Sequence, residues 1–182
     1  MTKESKLHQH DRAFGSPILT IAHERIHRGE FFTASSQAAV GSGGDVEFLI
    51  RVAAGTSAHM RISGTVSSDM VGFFFEGPTS SVDGTPVLAV DRNRFTKNTA
   101  TTLVFVGPTV SVDGTPLMEF DMPGGDKQTA SGGEGSSFEE YVLEPGDYLM
   151  RIENNIIAPA AAGRAGIIVD FYEPLSGTEQ VH

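Results

Sequence analysis

A thirteen-residue segment that occurs twice constrains the fold of this chain more than any other sequence feature. Phe75–Val87 returns thirty residues later as Phe105–Leu117, and nine of the ten positions from Gly77 to Pro86 are identical to their counterparts. Apolar residues flank each copy. The Gly-Pro and Asp-Gly pairs inside it are typical of turns, because Pro fixes φ and Gly accepts positive φ. The repeat therefore predicts two strand–loop–strand hairpins in tandem, with the identical residues as matched projecting loops.

Short strand-like segments follow one another along the rest of the chain. Residues 60, 62, 64 and 66 are apolar or Gly and alternate with polar residues, which is the period of a half-buried strand. Phe73–Phe75 cannot point to one face of a strand, so we expect both faces to be covered there. We expect about nine to eleven short strands and at most one short helix, separated by turn residues. This pattern predicts an all-β protein, a single antiparallel β-sandwich of jelly-roll type.

The chain divides into three parts by composition. Residues 1–17 are polar and lack periodicity, which predicts a flexible N-terminal arm that becomes ordered against a partner. Residues 18–173 form the predicted sandwich domain, and residues 174–182 form a polar C-terminal tail. The connection at residues 91–99 carries three basic side chains and is a candidate contact patch in an otherwise acidic chain.

Charge and composition exclude several classes of function. The net charge is −10 with only 13 Lys and Arg residues, which argues against a nucleic-acid partner, because phosphate binding needs clustered cations. The chain has no Cys, so it has no disulfide framework and no thiolate chemistry. No apolar segment approaches the roughly 18 to 20 residues that span a bilayer, and no secretory signal is recognisable. We therefore expect a soluble protein that is made in the cytoplasm and has no membrane partner.

Residues 18–28 fit two interpretations. As a strand they do not alternate cleanly between polar and apolar residues. As a helix they would begin at Pro17, which is favoured at a first helical position, and end before Gly29.

The helical interpretation matters because the segment contains His23-Glu24-x-x-His27. On a helix this spacing places two imidazoles on one face to bind zinc, with Glu24 beside them to activate a water molecule. The segment is short, however, and the residues after His27 lead into a β-prone stretch rather than a third ligand. We therefore expect structural histidines, with no metal or cofactor, and keep a zinc metallopeptidase as a remote alternative.

The carboxylates do not form an obvious catalytic pair. A glycosidase places two carboxylates about 5 to 10 Å apart in a sugar-binding cleft, whereas this chain has no Trp and only three Tyr to stack on a sugar. Glu139 and Glu140 are adjacent and would point to opposite faces of a strand. Asp83 and Asp113 each precede Gly in a predicted turn, which accounts for both. We therefore expect binding or assembly rather than catalysis, and no catalytic residues.

Several segments together resemble a known group of proteins. They are Ile26–Ser35, Phe75–Thr79 with Asp83-Gly84-Thr85, Asn93-Arg94 with Thr101-Thr102, and Glu144–Leu149. In overall pattern they resemble the capsid decoration, or cement, proteins of tailed bacteriophages, and the resemblance covers roughly residues 18–155.

The resemblance implies a β-sandwich that binds the outer surface of an assembled phage capsid. There it would bridge neighbouring subunits of the major capsid protein, commonly as a homotrimer at local three-fold positions. We expect residues 1–17 and the repeated Asp-Gly loops to make capsid or inter-protomer contacts, and the protein to be located in the virion. A head-fibre or tail receptor-binding β module, present in few copies per particle, is the alternative.

Overall fold

The computed structural model describes residues 17–124, 134–137, 140–154 and 163–173. The expected arm, except for Pro17, and the expected tail lie outside these residues. The described residues form one helix and fourteen strands, in the order α1 (Pro17–Arg28), β1 (Phe31–Val40), β2 (Asp45–Val52), β3 (Ala58–Val66), β4 (Met70–Glu76), β5 (Thr79–Val82), β6 (Thr85–Val87), β7 (Val90–Asp91), β8 (Leu103–Val106), β9 (Thr109–Val112), β10 (Thr115–Met122), β11 (Glu134–Ser137), β12 (Tyr141–Leu143), β13 (Gly146–Glu153) and β14 (Gly163–Tyr172).

Helix α1 confirms the helical interpretation of residues 18–28. It begins at Pro17, whose missing N–H removes nothing at a first helical position. It ends at Arg28, and the next residue, Gly29, has a φ of 71°, which Gly adopts at little steric cost. The amide of Glu30 donates to the carbonyl of Arg25 at 3.0 Å, and the Arg25 and Glu30 side chains form an ion pair. These contacts fix the direction in which the chain enters β1.

The prediction of an all-β antiparallel sandwich is confirmed, although the described residues form fourteen strands where about nine to eleven were predicted. The first sheet has the order β11-β3-β14-β1-β7, with β12 also paired to β3, and the second has the order β10-β4-β13-β2-β8-β6. A separate two-stranded sheet contains β5 and β9. The jelly-roll type stays a prediction. The strand order is compatible with it, because β1, β14, β3 and β12 adjoin in one sheet while β2, β13, β4 and β10 adjoin in the other.

The hydrophobic core lies between the two large sheets. Phe32 of β1 stacks on Phe171 of β14 with ring centroids 5.6 Å apart. Close packing requires Gly72 of β4, because a Cβ there would lie 2.0 Å from the Phe120 ring of the neighbouring strand. The largest fully buried side chains in this core come from both sheets: Phe32, Phe48, Phe74, Phe171, Ile50, Met60, Ile62, Met122, Met150 and Ile152.

The repeated segments do not form the two expected hairpins, and that prediction is wrong in its strand pairing. The residues expected to be loops form strands β5 and β9, which pair with each other. The strand before the first copy, β4, pairs with β10 after the second copy. The strand before the second copy, β8, pairs with β6 after the first. The two copies are therefore intertwined, and each completes its sheet pairing through the other.

Two glycines lie at the points where the two copies cross. Gly84 and Gly114 have φ values of 92° and 94°, which favour Gly. A Cβ on Gly84 would lie 2.5 Å from the carbonyl oxygen of Val106, and one on Gly114 would lie 2.2 Å from that of Glu76. Each Asp-Gly pair thus passes directly over the backbone of the other copy. A turn signal fixes the local bend, but it does not specify which strand the chain pairs with afterwards.

The arrangement has an approximate two-fold relation centred between β2 and β13. Within the second sheet, this relation exchanges β13 with β2, β4 with β8, and β10 with β6. The amide of Gly77 donates to the carbonyl of Asp147 at 2.9 Å, and the amide of Gly107 donates to that of Glu47 at the same distance. The sequence repeat is therefore matched by a repeat of contacts.

Candidate interaction surface

The face of the second sheet that points away from the core carries an apolar row. Strand registers place six residues side by side across all six strands, in the order Pro116, Phe75, Leu149, Leu49, Phe105 and Pro86. Leu49 and Leu149, at the centre, are completely buried, although alternation points them away from the core residues Phe48 and Ile50. We call these six residues the outer row. Phe75 and Phe105 are half-buried, whereas Pro116 and Pro86 at the two ends are exposed. The burial of Leu49 and Leu149 indicates that another part of the chain covers the centre of the row.

The β5–β9 ribbon is tied to this outer face. The amides of Gly77 and Gly107, which immediately precede the two buried prolines Pro78 and Pro108, donate to carbonyls of the central strands β13 and β2. Phe74 points into the core, whereas Phe75 lies in the outer row. Phe73 and Phe75 are half-buried on the outer face, so the expectation that both faces of this segment are covered is confirmed fully for the core face and in part for the outer face.

One side of the ribbon is held by the Arg51 cluster, which we define as Arg51, Asp83 and Asp147. Arg51 and Asp147 are register partners on β2 and β13. The Arg51 guanidinium donates to both carboxylate oxygens of Asp147, at 2.8 and 2.9 Å, and to both oxygens of Asp83, at 2.7 and 3.0 Å. It also lies 5.7 Å from the centre of the Phe105 ring, a cation–π contact. The arginine thereby links the first Asp-Gly pair to the sheet beneath it.

The other side is held by the Arg151 cluster, which we define as Arg151, Glu47 and Asp113. Arg151 donates to Glu47 at 2.8 and 2.6 Å and to Asp113 at 2.7 and 2.5 Å. Its guanidinium lies 5.7 Å from the centre of the Phe75 ring. The two clusters therefore have the same construction, as the approximate two-fold relation requires.

The clusters shift the pKa values of their two arginines and of the two aspartates in the repeated segments. Hydrogen bonds from Arg51 hold the pKa of Asp83 below its usual value, and those from Arg151 do the same for the pKa of Asp113. In return, hydrogen bonds to Asp147 and Asp83 raise the pKa of Arg51, and the bond to Asp113 raises that of Arg151. Asp83 and Asp113 are thus each held in the ionised form by charge-assisted hydrogen bonds from an arginine.

The prediction that the turns alone account for Asp83 and Asp113 is incomplete. Each also binds an arginine on a central strand. The sequence contains a pattern that indicates these arginine partners. Glu47 and Arg51 have the same four-residue spacing as Asp147 and Arg151. That spacing places each pair on one face of its strand.

The ribbon presents two valines to solvent. Val82 at the end of β5 and Val112 at the end of β9 are each 58% exposed. The Ser111 hydroxyl donates to the carbonyl of Thr79 at 3.1 Å across the ribbon. The ribbon is thus a fixed surface feature rather than a pair of independent loops.

Helix α1 places the two histidines of the His23-Glu24-x-x-His27 motif together. Their Nε2 atoms are 3.0 Å apart and both side chains are exposed. Glu24 forms an ion pair with Arg28 one turn further along the helix. Within the residues that the structure describes, no group of three or more His, Asp or Glu side chains could hold a metal ion. The third ligand that a zinc peptidase needs is therefore not found in this part of the chain.

The other carboxylate pair is only partly visible, since Glu139 lies outside the described residues. Glu140 accepts a hydrogen bond from the Tyr172 hydroxyl at 3.2 Å. That hydroxyl also lies 2.7 Å from Nδ1 of His59, whose ring stacks on the Tyr172 ring. Burial, with Glu140 nearby, raises the pKa of Tyr172 to about 12, so its hydroxyl keeps its proton at neutral pH. This trio joins β12 to β3 and β14.

No protein-family model matches this chain, and no curated protein matches it. Among the residues that the structure describes, no helix is long and apolar enough to cross a membrane.

Proposed function

We propose that this chain is a structural virion protein that binds the outer surface of a phage capsid and bridges subunits of the major capsid protein. The observation that supports it best is the β5–β9 ribbon, a surface built from the repeated segments and held in place on both sides. A surface that is already ordered loses little conformational entropy when it binds, so more of the contact energy appears as affinity. The inference that the partner is a capsid rests on the resemblance of the sequence to decoration proteins.

The state of the acidic residues supports binding over catalysis. Asp83 and Asp113 are ionised and engaged by arginines, and their pKa values are lowered. A general base at neutral pH works best with a pKa near the working pH, and a general acid must carry a proton there. Carboxylates whose pKa values are moved further down suit neither role. Their contacts instead stabilise the ribbon.

The proposed mode of binding combines several weak contacts. The ribbon valines would bury apolar area against the shell, and residues 1–17 would extend across seams between capsid subunits. Linked contacts strengthen one another through their effective concentration. A homotrimer would multiply this effect and would account for a decoration protein that stabilises a shell against internal pressure.

The direct test uses virus particles stripped of this protein. Purified chain is added back, and the bound fraction is measured after sedimentation and salt washing. We expect the double substitution Val82→Ser with Val112→Ser to weaken binding by roughly tenfold or more, because two apolar contacts are lost. Ile168→Ser is the matched control, since Ile168 is an exposed apolar residue on a strand of the first sheet.

Two further outcomes decide the proposal. Deletion of residues 1–16 should lower the fraction retained after heating or salt washing, and undiminished retention would refute the role of the arm. Failure of the wild-type chain to bind particles would refute capsid binding itself. Binding in only a few copies per particle would favour the head-fibre or receptor-binding module instead.

A further inference from the structure

The two histidines of the His23-Glu24-x-x-His27 motif form a pair on the surface of helix α1. Both side chains are exposed, and their Nε2 atoms are 3.0 Å apart. The two rings are nearly perpendicular, with centroids 4.5 Å apart and an interplanar angle of 80°. Residues four positions apart lie on one face of a helix. The helix therefore brings the same ring nitrogen of both side chains together at one point.

The backbone that carries His27 is anchored to the rest of the protein. The side-chain amide of Asn93 donates to the carbonyl of His27 at 2.9 Å. Arg25, two residues earlier, forms an ion pair with Glu30, whose side chain is buried at the start of β1. Groups on a fixed backbone lose less conformational entropy when they bind a common ligand. The histidine pair is thus partly preorganised.

A hydrogen bond between two neutral imidazoles accounts for the contact, because 3.0 Å is a normal donor–acceptor distance. The acceptor ring then directs the lone pair of its Nε2 atom at the other ring. The donor ring can carry its proton on Nδ1 instead, which leaves both Nε2 atoms with a lone pair. The same separation of the two nitrogens therefore suits either a shared proton or a shared metal ion.

The distance between the two Nε2 atoms indicates which metal ions fit. With metal–nitrogen bonds of about 2.0 to 2.1 Å, a separation of 3.0 Å corresponds to an angle of about 95° at the metal. Neighbouring ligands of a square-planar ion are about 90° apart, as Cu²⁺ and Ni²⁺ prefer, whereas tetrahedral Zn²⁺ would need the nitrogens about 3.3 Å apart. Copper also binds nitrogen ligands most tightly among the divalent first-row metals. Geometry and ligand type therefore both favour copper.

The charged side chains of the same helix do not oppose a cation. Glu24, next to His23, forms an ion pair with Arg28, next to His27. Arg25 is paired with Glu30. Every charged side chain between His23 and Arg28 thus has a partner of opposite charge. A divalent cation at the histidine pair meets no unpaired positive charge within this part of α1.

We propose that His23 and His27 form a surface site for a divalent transition-metal ion, with Cu²⁺ preferred, in which both Nε2 atoms are ligands and water fills the other positions. The site differs from that of a zinc peptidase. Glu24 is engaged by Arg28 rather than placed to activate water, and no third protein ligand is found in the described part of the chain. This inference goes beyond capsid binding and does not depend on it.

The test is calorimetric titration of the purified, untagged full chain with CuCl₂, NiCl₂ or ZnCl₂, each in the presence of glycine as a competing ligand. We expect Cu²⁺ to bind more tightly than Ni²⁺ or Zn²⁺. His23→Gln and His27→Gln should each weaken copper binding by roughly tenfold or more, because two linked ligands bind far more tightly than one. Circular dichroism spectra verify that each variant is folded.

The matched control removes a different pair of histidines. The chain also contains His8 and His10, so copper binding by these residues must be separated from binding by α1. The double variant His8→Gln with His10→Gln should keep the copper site with its affinity unchanged. Electron paramagnetic resonance of the bound Cu²⁺ should show splitting by two imidazole nitrogens in this variant, and by fewer in His23→Gln or His27→Gln.

A change of spacing gives the sharper arm of the experiment. The double variant His27→Gln with Arg28→His keeps two histidines on α1 but places them five positions apart, on different faces of the helix. It should bind copper no better than His27→Gln, whereas Arg28→Gln alone should bind as well as wild type. Wild-type affinity in the five-residue variant or in His23→Gln, loss of the site with His8 and His10, or tighter binding of Zn²⁺ than of Cu²⁺ would each overturn the proposal.

Discussion

Replacement of Arg151 by Met tests how strongly the ribbon is held on the sheet. Methionine keeps an apolar side chain against Phe75, so the substitution removes mainly the hydrogen bonds to Glu47 and Asp113. Arg151 and Glu47 are 18% and 13% exposed, and loss of the arginine leaves the Glu47 carboxylate largely buried without its partner. Breaking a pair of this kind costs about 2 to 3 kcal/mol.

The contact between Arg151 and Asp113 contributes less to the free energy of unfolding. Asp113 is 42% exposed, so solvent screens its interaction and the loss is about 1 kcal/mol or below. We therefore expect Arg151→Met to lower the free energy of unfolding by about 3 kcal/mol. The measurement is urea denaturation followed by circular dichroism, with the slope of the transition checked for constancy.

Two comparison variants separate the effect of burial from the effect of the unpaired Glu47 charge. Arg51→Met removes the equivalent cluster at a more exposed site, where Arg51 is 34% exposed, so we expect a smaller loss of stability. The double variant Glu47→Gln with Arg151→Met removes the unpaired negative charge of Glu47, so it should recover part of the lost stability. The reasoning is wrong if Arg151→Met costs no more than Arg51→Met, or if the second substitution recovers nothing.

Two further predictions concern the same ribbon. Gly84→Ala and Gly114→Ala should each destabilise by more than about 1 kcal/mol, because the new methyl group meets backbone at a positive φ. Gly43→Ala, also at a positive φ but with nothing within 4 Å, should cost less in the same urea assay; equal losses would contradict the crossing contact. The lowered pKa of Asp113 adds stability that is present above its unfolded pKa of about 3.9 and is lost as the pH falls through the folded value. Wild type should therefore lose stability on acidification below that pH more than Arg151→Met does, and parallel urea midpoints would refute the linkage.

The sandwich and the helix were predictable because their signals are local. Alternating residues such as Met60 and Ile62 define a buried strand face, and Pro17 with Gly29 marks both ends of α1. These patterns depend on a few neighbouring residues, and packing reinforces them. Such segments were sufficient to predict the all-β class of the fold.

The pairing of the two repeats was not predictable in the same way. The Asp-Gly signal at Gly84 specifies a bend, but the partner of the strand that follows is set by contacts with β8, about twenty residues further along the chain. The partners of Asp83 and Asp113 depend on strand register, because Arg51 and Arg151 reach them only after β2 and β13 lie side by side. Register is fixed by burial of whole strand faces rather than by any single residue.

The loop at residues 91–99 shows a different limit. Three basic residues mark it in the sequence, whereas the hydrogen bonds that fix its backbone depend on Asp91, which becomes buried only when β7 pairs with β1.

The most direct test of the account is cryo-electron microscopy of the virus particle that carries this chain. We predict density for one β-sandwich per copy on the outer surface of the shell, in many symmetry-related copies, with the β5–β9 ribbon against the major capsid protein. Particles without this density on the shell, or with the chain confined to a few copies at a tail or fibre, would contradict it.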